Sequence, residues 1–287
     1  TLQEAFLKAS GGAALLLPKI KLISDEGDDL ALLVGAGGAD EREPASAKPA
    51  ISKLERELTL TRLVLRWSEA TGTRTPAQAV RLAQGLARLM DEVEIEDVRL
   101  DNLASLVRDD LSAHWAHTLE FLEIVTRHWP DHLAEHGLVS RAERRQQLML
   151  AEAARLQREP PAAPVIVAGV TGTVPAATAL MRVVAALPNG ALVLPALDRT
   201  LDEESWDAIT PAHPEHPQFG LKKVLDALAV KRTDVDTLPG TAESRALCTR
   251  WALACEAMRP ARTTERWHHF TAAADRKDVA AALAGLT

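Results

Sequence analysis

Five carboxylates crowd one short stretch of this chain, Asp198, Asp202, Glu203, Glu204 and Asp207, just after an apolar run that ends near Leu197. Such density is the raw material of a divalent-cation site, but that site needs a rigid, convergent set of oxygens. The order Asp-Glu-Glu is also what a helix start selects. Asp202 can accept from unpaired amides there, while Glu203 and Glu204 face the positive end of the helix dipole. The cap fits the spacing better, and no metal site is expected. His128, His132 and His136 recur at every fourth position, yet Pro130 interrupts their register, and neither an H-E-x-x-H string nor a cysteine pair lies nearby. Cys248 and Cys255 stand seven apart on one face of a predicted helix, which suits packed thiols, since zinc and iron–sulfur sites usually take four ligands.

The loop Gly169-Val170-Thr171-Gly172-Thr173-Val174-Pro175 invites comparison with dinucleotide-binding turns, whose glycines let backbone amides approach a pyrophosphate. It reads G-x-x-G rather than G-x-G-x-x-G, with Pro175 and Ala176 where the later glycine belongs. The chain contains no tyrosine, so short-chain dehydrogenase chemistry has no catalytic residue. No G-x-x-x-x-G-K-[ST] string is present either. A nucleotide-hydrolysing sheet also needs a carboxylate at a strand tip to hold magnesium. The run Val165–Val167 delivers Ala168 and Gly169 at that place, so no catalytic residue is assigned. A stand-alone α/β enzyme that binds a nucleotide or dinucleotide through 169–175 is the alternative reading.

Basic residues gather at Arg141, Arg144 and Arg145, at Lys222, Lys223, Lys231 and Arg232, and again at Arg259, Arg262 and Arg266. A groove that tracks a phosphate backbone needs several of these to converge, with aromatic rings for the bases. Trp206, Trp251 and Trp267 are available for that, whereas Trp67, Trp115 and Trp129 fall on apolar helix faces and read as core. The net charge of −7 gives no global basic excess, so any such groove is local.

The elements that must position these groups follow from periodicity. Ala163–Leu197 holds an apolar run, the Gly/Thr loop, an amphipathic helix, a Pro-Asn-Gly turn and a second apolar run, the grammar of a parallel β-α-β unit with strands buried on both faces. Strands near 13–17, 165–169 and 191–195 are expected in one parallel sheet, giving an α/β fold. Residues 1–9 read as the tail of a helix and 35–49 as a loop. Residues 52–158 read as all-helical, an insertion between two strands of the sheet. Ser52 with Glu55, Thr75 with Gln78 and Ser140 with Glu143 mark helix starts. The second helix is expected to bury Val80, Leu82, Leu86, Leu89 and Val93. Pro130 should break or kink a helix running from about Ser112 to Gly137. Helices near 203–209, 219–228 and 243–258 follow, then a strand at His269–Ala273 and a last helix from about Arg276. The division is 1–51 with 159–240 as the α/β core, 52–158 as the insertion, and 241–287 as the start of a further domain.

With 47% hydrophobic and 25% charged residues the composition is that of a soluble globular protein. Two cysteines fit a reducing cytoplasm, and no apolar run approaches a membrane span. The ends, Thr1-Leu2-Gln3 and Ala284-Gly285-Leu286-Thr287, read as cut from longer elements, so a piece of a larger polypeptide is expected.

Three strings together resemble the alphaproteobacterial form of AddB, a subunit of the double-strand-break repair helicase–nuclease. They are Leu119–Thr126 (LEFLEIVT), Leu197–Trp206 (LDRTLDEESW) and His216–Lys223 (HPQFGLKK), and the tail from Arg259 through Trp267 to Asp275 is similar too. The resemblance implies a degenerate, P-loop-NTPase-like helicase core with a helical insertion at 52–158. Ala168 and Gly169 would stand at the Walker B position, where related subunits carry a carboxylate. It also implies a cytoplasmic, membrane-free role in recombination beside an AddA-type motor subunit. Single-stranded DNA would be contacted by Thr171 and Thr173, by Lys222 and Lys223, and by the Arg141, Arg144 and Arg145 cluster. The family's iron–sulfur cluster and magnesium belong to a C-terminal nuclease part outside these residues, so no cofactor is expected here.

Overall fold

A computed structural model describes residues 2–11, 17–20, 22–23, 48–71, 75–95, 112–171, 174–238 and 245–269. The described chain is mostly helical around a small parallel sheet, an α/β arrangement. Helix α1 spans Leu2–Ala9, α2 Lys53–Thr71, α3 Pro76–Ile95 and α4 Ser112–Glu123. A π turn at Ile124–His128 leads into α5, Trp129–Glu135, followed by α6, Arg141–Arg158. The β-α-β unit is β1 (Val165–Ala168), α7 (Pro175–Ala186) and β2 (Gly190–Val193). Then come α8 (Glu203–Asp207), α9 (Phe219–Leu228), a 3₁₀ turn at Arg232–Asp234, α10 (Arg245–Ala257) and a 3₁₀ helix at Ala261–His269. The expected strand at 13–17 lies outside the described residues, apart from Leu17. At 269–273, His269 closes the 3₁₀ helix and the remainder lies outside them.

The caps form where the sequence signals them. The Glu55 amide donates to Ser52 Oγ, and the Glu143 amide donates to Ser140 Oγ at 2.9 Å. Thr75 and Gln78 close a reciprocal box, each amide donating to the other's side chain. Helices α2 and α3 pack against the π turn and α5 around Leu60, Val64, Leu86 and Trp129. Here α3 corrects the expected stripe. It buries Ala79, Ala83, Leu86 and Met90, leaving Val80 and Leu89 exposed. Two alanines let α2 approach closely along that line, and close packing outweighs side-chain bulk in choosing the buried face.

Pro130 produces a local change of helix rather than a break. The Trp129 amide reaches back five residues to the Ile124 carbonyl, and Pro130 begins the next helix, where a missing N–H costs nothing. Gly137, at φ +64°, ends that helix, with the Leu138 amide donating to the Leu133 carbonyl.

Helix α6, the last of the expected insertion, carries its buried face onto the α/β unit. Leu148 and Met149 meet Ala176 and Ala177, while Ala153 and Leu156 pack with Val167, Leu180 and Met181. Its N-terminal end is tied to the helical side. Ser140 Oγ donates to Glu94 at the end of α3, and Gln146 donates to the Glu94 carbonyl at 2.6 Å. The two strands pair in register Val165↔Gly190 to Ala168↔Val193. Contrary to the expectation of strands buried on both faces, β1 buries Val167 but leaves Ile166 61% exposed. Its outer face has no covering layer among the described residues.

Candidate functional site

Because β1 and β2 run parallel, their carboxyl ends share one edge, where ligands sit in open α/β sheets. The last rung is the Gly169 amide donating to the Val193 carbonyl at 3.0 Å. Gly169 then takes φ +76°, a left-handed turn that suits a residue without Cβ. Ala168, Gly169 and Thr171 are all exposed, so this tip presents a methyl group, a hydrogen and one hydroxyl. Thr173 and Gly172 lie outside the described residues. Helix α7 begins at Pro175 without a side-chain cap.

The β2 tip is closed by a polar network. Ala196, at φ +50°, is clamped by Gln218, whose amide group donates to the Ala196 carbonyl at 3.0 Å and accepts from the Asp198 amide at 2.9 Å. Asp198 is buried, and its carboxylate accepts from the Thr200 amide and hydroxyl and from the Leu201 amide. Asp202 caps α8 through the Ser205 amide at 3.0 Å and pairs with Arg259 at 2.5 Å. Arg259 also holds Glu256 and donates to Ser205 Oγ. From there the hydroxyls run on in one direction, Ser205 to Thr263 at 2.8 Å and Thr263 to the Pro260 carbonyl at 3.1 Å. Arg232 pairs with Glu203 at 2.5 Å and donates to the Asp198 carbonyl.

The electrostatics follow from this geometry. Burial favours neutral acids at Asp198 and Asp202, but hydrogen bonds outweigh it. Asp198 is lowered by the Cys255 thiol and the Thr200 and Leu201 donors, and Asp202 by Arg259 and Ser205, which hold it well below the usual carboxylate range. Burial and the Asp198 carboxylate push the Cys255 thiol up to about 12. Glu256 and Asp202 raise Arg259 further above its ordinary value. Among the described residues no group of three or more His, Cys, Asp or Glu is placed to hold a metal ion.

The expected nucleic-acid contacts are spread over several elements. Lys222 is half-buried on α9, 4.0 Å from Asp207 and 5.3 Å from the centre of the Trp206 ring. Lys223, also half-buried, makes no ion pair among the described residues. On α6, Arg141 is exposed, Arg145 half-buried, and Arg144 donates to the Lys48 carbonyl at 2.9 Å. Arg144 and Lys222 are thus committed to different neighbours. Trp206 corrects the expectation of an available ring. It is buried between Lys222 and Arg232, the latter 4.7 Å from its centre, and packs with Leu201, Ile209 and Leu225. Trp67 packs against Phe121 with the two rings tilted, and Trp129 is core, as their apolar faces indicated.

Sequence reasoning missed the pairing itself. Gln218, Arg232 and Thr263 carry no local signature, and Asp202 finds Arg259 across 57 positions. The available signal was indirect. The strings LDRTLDEESW and HPQFGLKK, with the tail from Arg259, are the stretches that meet here. No helix among the described residues is long and apolar enough to cross a membrane. In comparisons with protein-family models, curated proteins and solved structures, this chain matches none of them.

Proposed function

We propose that this chain is a non-catalytic, helicase-like segment of an AddB-type subunit in double-strand-break repair, with 52–158 as a helical insertion in its degenerate core. It guides single-stranded DNA along the strand tips and braces an AddA-type motor subunit that hydrolyses ATP. One observation carries the reading. The β1 tip ends in exposed Ala168 and Gly169, which on this reading replace a magnesium-holding acid, and exposed Thr171 follows them. A tip without that acid still offers the Thr171 hydroxyl to a phosphate. Lys223, which makes no ion pair among the described residues, supplies positive charge on α9.

The test is the salt dependence of binding to a labelled oligothymidylate. A phosphate-led mode gives log affinity falling linearly with log salt, by roughly 0.7 per phosphate neutralised on a single strand. Lys223→Ala shallows that slope. Affinity that does not change with ionic strength, or ATP turnover by the purified chain alone, defeats the reading.

A further inference from the structure

We propose that Trp267 is the platform on which this chain stacks a base of single-stranded nucleic acid, an inference that rests on the function proposed above. Among the described residues, Phe6 and Trp267 are the exposed Phe or Trp side chains, and Trp267 is 46% exposed. A flexible exposed ring loses entropy when a base docks, whereas a fixed one does not. Trp267 is fixed: its indole N–H donates to the Glu256 carbonyl at 3.3 Å, eleven positions earlier.

The orientation of the 3₁₀ helix places it there. With three residues per turn, positions three apart share a side. Thr263 is buried and takes the Ser205 hydroxyl, which turns its stripe inward. That swings the stripe of Ala261, Thr264 and Trp267 outward, with exposed Arg262 on the adjacent stripe. Trp267 has no second large apolar side chain on its own stripe, unlike the centre of a protein interface, where aromatic anchors cluster. Glu256, whose carbonyl holds the indole, has its own carboxylate bound by Arg259. On the adjacent stripe Arg262 and Glu265 are both exposed, and Arg262 supplies the cation there. A rigid exposed ring with a cation on the adjacent stripe is an arrangement that single-strand binders use.

The experiment measures anisotropy of a fluorescein-labelled oligothymidylate with the full chain and three variants. Trp267→Ala and Trp267→Leu each lower affinity by about 5- to 150-fold, the span of one lost base stack. Trp267→Phe, which keeps a ring, stays close to the parent. The salt slope is unchanged in all three, because no phosphate contact is lost. On an abasic strand of equal length, parent and Trp267→Leu bind alike. Parental affinity in Trp267→Leu, or an equal loss on the abasic strand, overturns the inference while leaving the salt-dependent binding of the parent intact. Absence of salt-dependent binding by the parent overturns both this inference and the function it rests on.

Discussion

Replacing Arg259 by Met removes the hub of the β2-tip network while keeping most of the side-chain volume. Arg259 is 5% exposed, and its partners Asp202 and Glu256 are 20% and 24% exposed. Stripping one partner from a fully buried pair costs about 3–5 kcal/mol, because the other charge is stranded. Both carboxylates here keep some contact with water, and Asp202 keeps its Ser205 amide, which places the loss near the lower end, about 3 kcal/mol. The effect is local to 198–207 and 256–263, so global unfolding is a poor readout. Amide hydrogen exchange at Ser205 and Trp206, whose N–H groups donate to Asp202, reports it directly. The expected loss of protection at pH 7 is about 150-fold.

The pH dependence carries the sharper check. Asp202 is held below its ordinary value, so its stabilising share is complete above the unfolded-chain pKa of about 3.9 and fades as pH falls through the folded value. The gap between parent and Arg259→Met is therefore full at neutral pH and narrows in acid. A loss under tenfold at pH 7, or one that stays constant down to about pH 3, refutes the account of a charge-held hub.

The remaining expectations concern single groups. Cys248 is exposed while Cys255 is tied to Asp198 with its thiol pushed up to about 12. A maleimide at pH 7 should modify one thiol quickly and the second only on denaturation, and equal rates would contradict the Asp198 contact. Burial raises Glu94, with the Ser140 hydrogen bond opposing, so ionised Glu94 costs stability above its folded pKa and costs none below the unfolded one. Glu94→Gln should melt higher than the parent at pH 8, with the difference shrinking as pH falls; a gap that widens in acid would reverse the sign. A Cβ at Gly190 would lie 1.8 Å from the Val184 carbonyl oxygen, whereas one at Gly169 meets nothing within 4 Å. Gly169→Ala should cost only about 1–2 kcal/mol of backbone strain. Gly190→Ala should cost more, because backbone must move, and equal melting temperatures would show that the α7–β2 approach is looser than described.

What the sequence made legible was local. The three capping pairs lie three residues apart, and the β-α-β order follows from apolar runs and one turn, so nothing distant had to be known. The α3 stripe failed because periodicity ranks residues by bulk, while the partner helix sought the small line of Ala79 and Ala83. Trp206 was misread because the cations that cover its ring, Arg232 and Lys222, come from later elements. Contacts of that span leave no period to detect. Trp267 was visible only as a candidate, since its anchoring depends on the Glu256 carbonyl eleven positions earlier.

The π turn at Ile124–His128 has a consequence for how this chain tolerates changes in length. Both Ile124 and Trp129 are buried, five positions apart, a separation that an ordinary helix would rotate about 140° out of alignment. The widened turn absorbs one surplus residue, and Thr126, Arg127 and His128, which loop outward there, are all exposed. Excising Arg127 would let that turn relax to regular pitch with Ile124 and the indole still facing inward. A one-residue deletion elsewhere in α5 would instead swing Leu133 off its seat.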